Sequence, residues 1–99
     1  MVKVTGEIAR ARLGDVKPEE RFYCQDGRYL KNLKELEAAL GDMSDETFRA
    51  HASGDKNDFG NWVRDVFGDD KLARDLQVSA GAKQAARAVA QRIVWLTEK

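Results

Sequence analysis

The chain predicts a mainly α fold, a small bundle of about four to five helices closed by a long C-terminal helix, with one short β-hairpin near residues 22–30 as its strand candidate. Three observations predict it. Phe59, Trp62, Val63, Val66 and Phe67 recur at the i, i+3, i+4, i+7, i+8 spacing of an amphipathic helix. Capping residues stand directly ahead of such apolar runs: Asn32, Ser44, Asn57 or Asp58, and Asp69-Asp70. Between Ala80 and Thr97 a single face gathers Ala82, Ala85, Ala86, Val89, Ile93 and Leu96, widened by Ala90, Val94 and Trp95.

In chain order, Thr5 followed by Ile8, Ala9, Ala11 and Leu13 predicts a short helix that stops at Gly14. Asp15-Val16-Lys17-Pro18 is a connector, because proline biases the residue before it toward extended backbone. Phe22-Tyr23-Cys24 and Tyr29-Leu30 flank Gln25-Asp26-Gly27, which fits either a tight hairpin or an extended arm with a turn. Asn32 with Glu35 has the form of a capping box ahead of Leu33, Leu36, Glu37 and Leu40, with Gly41 as the expected stop. Ser44 caps a helix through Thr47, Phe48, His51 and Ala52, and Asp45 and Glu46 sit in its first turn, where negative charge is favoured. Ser53-Gly54-Asp55-Lys56 reads as a polar loop. The Phe59-to-Phe67 helix then ends in left-handed backbone at Gly68, and Asp69-Asp70 start a helix that turns Leu72, Ala73 and Leu76 to one side. Phe48, Phe59, Trp62, Val66, Phe67 and Leu72 are the expected core.

Composition narrows the class. Ninety-nine residues, 42% hydrophobic and 34% charged, suit one soluble domain spanning 1–99, read as an N-terminal extension (1–20), a helical core (21–77) and a long terminal helix (79–98). One cysteine cannot form an internal disulfide, which points to a reducing cytoplasm. The first residues hold no unbroken apolar run suited to a signal peptide, and no apolar run anywhere is long enough to span a bilayer, so no membrane passage is expected. Net charge is zero but unevenly spread: +1 over Met1–Arg21, −4 over Phe22–Val78 and +3 over Ser79–Lys99. An acidic body with a basic final helix permits electrostatic association.

Catalytic signals are sparse. His51 is the lone histidine, with Cys24 and Asp58 as nominal partners, and the spacing sets up no dyad. A structural histidine is the plainer reading, and no enzymatic activity is expected; a site around His51 and Asp58 would need a partner chain or a metal. One Cys and one His cannot build a zinc site. Asp55, Asp58, Asp65, Asp69 and Asp70 lack the alternation of a calcium loop, and caps plus a solvated face explain them. Neither glycine-rich phosphate motif occurs, so no cofactor or metal is predicted. Lys83, Arg87 and Arg92, joined by Arg10 and Arg12, would be the nucleic-acid footprint, but no aromatic is interleaved among them.

Phe22 with Asp26-Gly27, Leu33 with Leu36, Met43-Ser44 with Phe48 and His51, Asn57-Asp58-Phe59 with Trp62-Val63 and Val66, Gly68-Asp69 and Leu72-Ala73 together make a pattern. In this it resembles a family of small uncharacterised helical domains of archaea and bacteria. The resemblance covers Phe22 to about Leu76 and implies a helical domain, sometimes joined to other modules, with no activity, cofactor or catalytic residue to transfer. The flanks outside it are where a specific role would sit. The expected role is a non-enzymatic interaction or adaptor module, self-associating as a homodimer or binding a protein partner through Ala82, Ala86, Val89, Ile93 and Leu96. The alternative is a nucleic-acid- or ribosome-associated protein using Lys83, Arg87 and Arg92.

Overall fold

Caps set most of the element boundaries in the computed structural model, which describes residues 3–99. Thr5 Oγ1 accepts the Ile8 N–H at 3.2 Å and opens α1 (Gly6–Leu13), which closes at Gly14. Asn32 Oδ1 accepts the Glu35 N–H at 2.8 Å to open α2 (Leu33–Asp42), and Glu35 reaches back to the Lys31 N–H, one residue earlier than the standard box. Gly41 does not stop this helix. The chain stays helical to Asp42 and leaves at Met43 in extended backbone, so the glycine is an ordinary helical residue. Ser44 Oγ accepts the Thr47 N–H at 3.1 Å and opens α3 (Asp45–His51).

The segment between α1 and α2 is a hairpin, β1 (Phe22–Tyr23) against β2 (Tyr29–Leu30), after a turn of 3-10 helix at Pro18–Glu20. Its register pairs Phe22 with Leu30, both buried, and Tyr23 with Tyr29, both exposed; the tyrosine rings meet edge-on at 4.8 Å. Gly27, at φ +97°, supplies the backbone conformation that an L side chain avoids. A second hairpin was not anticipated: the polar loop closes β3 (Ala52–Ser53) on β4 (Lys56–Asn57), with Gly54 at φ +61° in the turn. That positive angle at the first turn position is the one a two-residue hairpin reserves for glycine.

Asn57 then caps α4 (Asp58–Trp62) by accepting the Gly60 N–H at 2.9 Å, while its amide donates to Leu76 O at 3.0 Å. Both ends of a buried amide are thereby satisfied. Beyond Trp62 the helix widens into a π turn, Val63–Phe67, which Gly68 ends in left-handed backbone at φ +70°. The extra residue per turn rotates the apolar stripe off line. Val63 is still fully buried, but Val66 and Phe67 are only half-buried against the core instead of inside it as expected. Asp69 starts α5 (Asp70–Gln77), and α6 (Ala82–Thr97) ends the chain.

α6 packs along α2, α1 and α5, and α4 lies against α5. The interior joins Leu33, Leu36 and Leu40 of α2, Phe59 and Val63, Leu72 and Leu76 of α5, and Val89 and Leu96 of α6, all essentially inaccessible. α1, expected as part of an extension, is within this core: Ala9 is 1% exposed, and Val4, Leu13 and Val16 pack against it. A Cα radius of gyration of 12.6 Å matches the roughly 13 Å of a compact chain this long, so the elements share one interior.

The α4–α5 contact is close because Gly60 has no side chain. A Cβ there would lie 3.1 Å from Ala73 O. Gly60→Ala therefore requires α4 and α5 to part by a few tenths of an ångström, and because Ala73 O belongs to a helix backbone the expected net cost, after the roughly 1 kcal/mol that alanine gains inside a helix, is about 1 kcal/mol, read from the shift of the urea midpoint.

Candidate functional site

His51 is held from both sides. The Gln25 N–H donates to Nε2 at 2.9 Å, which makes that nitrogen the acceptor and places the ring hydrogen on Nδ1, from which it is donated to Asp58 Oδ2 at 3.0 Å. The ring also lies 5.1 Å from Phe22 and 5.3 Å from Phe59, centroid to centroid. Both nitrogens are thus committed, and His51 ties the first hairpin to α3 and the start of α4. Cys24 is buried, and burial pushes its thiol above the ordinary value, so it stays protonated at neutral pH.

A different cluster organises the other end of the molecule. Asp69 is fully buried, although its position in a run of aspartates reads as a cap on a solvated face. It is indeed a cap, since Oδ1 accepts the Leu72 N–H at 3.1 Å. The same carboxylate accepts two hydrogen bonds from Arg92, from Nε at 2.8 Å and Nη2 at 3.0 Å, a side-on fork across α5 and α6. From α1, Arg12 brings Nη1 to 3.8 Å of Asp69 and donates from Nη2 to Gly68 O at 2.9 Å. The Arg12 and Arg92 side chains are only 12% and 10% exposed. Two guanidiniums therefore share one carboxylate out of water, leaving one positive charge in excess, and the Arg12 Nε finds no acceptor among the described residues.

This cluster is the floor of an open cleft of about 890 Å³ between α1, α5 and the C-terminal half of α6, within the size range of sites that enclose a small ligand or a peptide segment. Its walls carry Lys3, Arg12, Lys71, Arg74, Arg92 and Lys99 against Asp69, Asp70 and Asp75, with Val4, Ala88 and Trp95 as apolar surface. Lys71 is paired to Asp75 one helical turn on. Trp95 is 36% exposed, and its ring already has the Arg92 guanidinium carbon at 4.3 Å and the Lys99 ammonium at 4.1 Å from the centroid. Beside it Val94 is 60% exposed.

The residues expected to form the partner-binding face lie elsewhere. Ala82, Val89 and Leu96 are buried, and Ala86 and Ile93 are half-buried against the same core. The small side chains of Ala82 and Ala85 let other elements approach α6 closely, so the chain's own helices cover the face that would have met a partner. Of the expected cationic trio, Lys83 and Arg87 are exposed, whereas Arg92 is turned inward to Asp69. The structure brings Arg92 together with Arg12 and Asp69, a grouping that no local spacing encodes. The one signal available was the basic, apolar end of α6 itself. No family model matches the chain, and no curated protein or solved structure matches it.

Proposed function

We propose that the protein is a non-enzymatic interaction module that takes a protein partner at the cleft between α1, α5 and α6. The observation that carries this reading is the pairing of a cleft of about 890 Å³ with the partly exposed Trp95 on its α6 side. A partly exposed tryptophan flanked by two cations has the composition of an interface centre, which is enriched in Trp and Arg. The contact surface moves from the Ala82-to-Leu96 stripe to the flank of the same helix that carries Ala88, Arg92 and Trp95. Its working parts are Trp95 and the adjoining Val4 and Ala88, with the cations of the cleft as a rim.

The test is the mass of the protein by light scattering after size exclusion, isolated from its own organism at low and high salt. The wild-type chain is expected to co-elute with a partner. Trp95→Ala abolishes that, while Lys83→Glu/Arg87→Glu, outside the cleft lining, does not. The opposite pattern, with binding lost steeply as salt rises, would establish the nucleic-acid reading in its place.

A further inference from the structure

We infer that the cleft recognises an acidic, amphipathic segment of the partner, whose carboxylates seat on Arg74, Lys99 and Lys3 while its apolar side chains cover Val4 and Trp95. The inference rests on the binding role proposed for this cleft and adds the chemistry of the occupant.

Charge is the first argument. The lining carries twice as many basic as acidic side chains, and the Arg12–Asp69–Arg92 floor holds an unneutralised positive charge that water reaches poorly. In such a place an incoming anion is attracted more strongly than at an open surface. Among the described residues Arg74 and Lys99 form no ion pair with a carboxylate, and both are exposed, so Arg74 can meet a ligand directly and Lys99 gives up at most its place over the Trp95 ring.

The distribution of that charge separates a peptide from a nucleic acid. Asp70 and Asp75 line the same cleft, and a ligand bearing a phosphate at every step would be driven onto them. Single carboxylates spaced along a chain can fall on the cations and miss the aspartates. Base stacking is also poorly served, because Trp95 is the one aromatic among the described residues of the lining and offers no succession of rings for neighbouring bases. What remains attractive is the apolar strip of Val4, Ala88 and Trp95, which suits leucine-like side chains.

The experiment uses the full chain with three probes: a short fluorescein-labelled peptide of glutamate and leucine in helical spacing, single-stranded oligothymidylate of matching charge, and inorganic phosphate. Anisotropy is followed for the labelled peptide and its competition by the other two. The peptide is expected to bind saturably, to weaken with salt, and to lose about tenfold or more in affinity in Arg74→Glu/Lys99→Glu, with Lys83→Glu/Arg87→Glu unchanged. Thermal melting by circular dichroism confirms that the exposed-site variants stay folded. No saturable peptide binding, or binding indifferent to Arg74→Glu/Lys99→Glu, overturns the inference. If oligothymidylate displaces the peptide at equal or lower concentration in a manner lost in Arg74→Glu/Lys99→Glu, the cleft is a binding site but its occupant is a nucleic acid. If no probe responds to the cleft variants, the proposed binding role fails with it.

Discussion

Asp69→Ala is expected to lower the unfolding free energy by about 3–5 kcal/mol, the penalty typical of removing one partner from a buried ion pair. The reason is what the substitution leaves behind. Arg92 and Arg12 are about nine-tenths buried, and without the carboxylate their guanidiniums face each other's charge with no counter-ion. α5 also loses the acceptor of its Leu72 N–H, so a helix cap goes at the same time. Urea unfolding at neutral pH measures the change. Arg92→Met in the Asp69→Ala background removes the repulsion, and recovery of part of the loss would identify the uncompensated charge as its cause. A loss below about 1 kcal/mol for Asp69→Ala would mean that water reaches the floor of the cleft and screens the cluster.

Phe59→Ala carries the second large effect, about 3–5 kcal/mol. Phe59 is fully buried and stacks on Phe22 at 5.1 Å and Phe48 at 5.7 Å, with His51 at 5.3 Å. It is thus the shared neighbour of the first hairpin, α3 and α4, and a truncation there opens a void bounded by aromatic rings that cannot all collapse into it. The same urea measurement on Phe67→Ala provides the contrast. Phe67 is half-buried and touches Trp62 edge-on at 5.1 Å, so its loss is expected to be clearly smaller. Equal losses would place the two rings in equivalent surroundings and contradict the offset that the π turn produces.

The helical part of this fold was legible because it is written locally. Thr5, Asn32, Ser44, Asn57 and Asp69 each cap within three residues, and the apolar spacing of α2, α5 and α6 follows the helical period. The hairpin of residues 22–30 was visible in Asp26-Gly27, but the second was not, since two-residue strands hold too few side chains to show alternation. The π turn has no marker in composition, and it moved Val66 and Phe67 outward. Which side of α6 faces inward was ambiguous for a related reason: Ile93-Val94-Trp95-Leu96 is apolar nearly all round, and only the fold decides that Leu96 is buried and Val94 exposed. The cleft itself was illegible. It depends on Arg12, Asp69 and Arg92, whose separations of 57 and 23 residues are set by packing and by nothing in the local pattern.

The π turn at Val63–Phe67 does for Asp69 what a shim does for a hinge. A regular helix advances about 100° in azimuth per residue, so the one additional residue in the wide turn fixes the angle at which the chain leaves Gly68. With that residue excised, the exit would swing by about that angle and change the direction in which Gly68 and Asp69 leave α4. The angular phase of a single irregular turn thereby bears on how a cap at the start of α5 also becomes the counter-ion of a helix that begins thirteen residues after it, at Ala82.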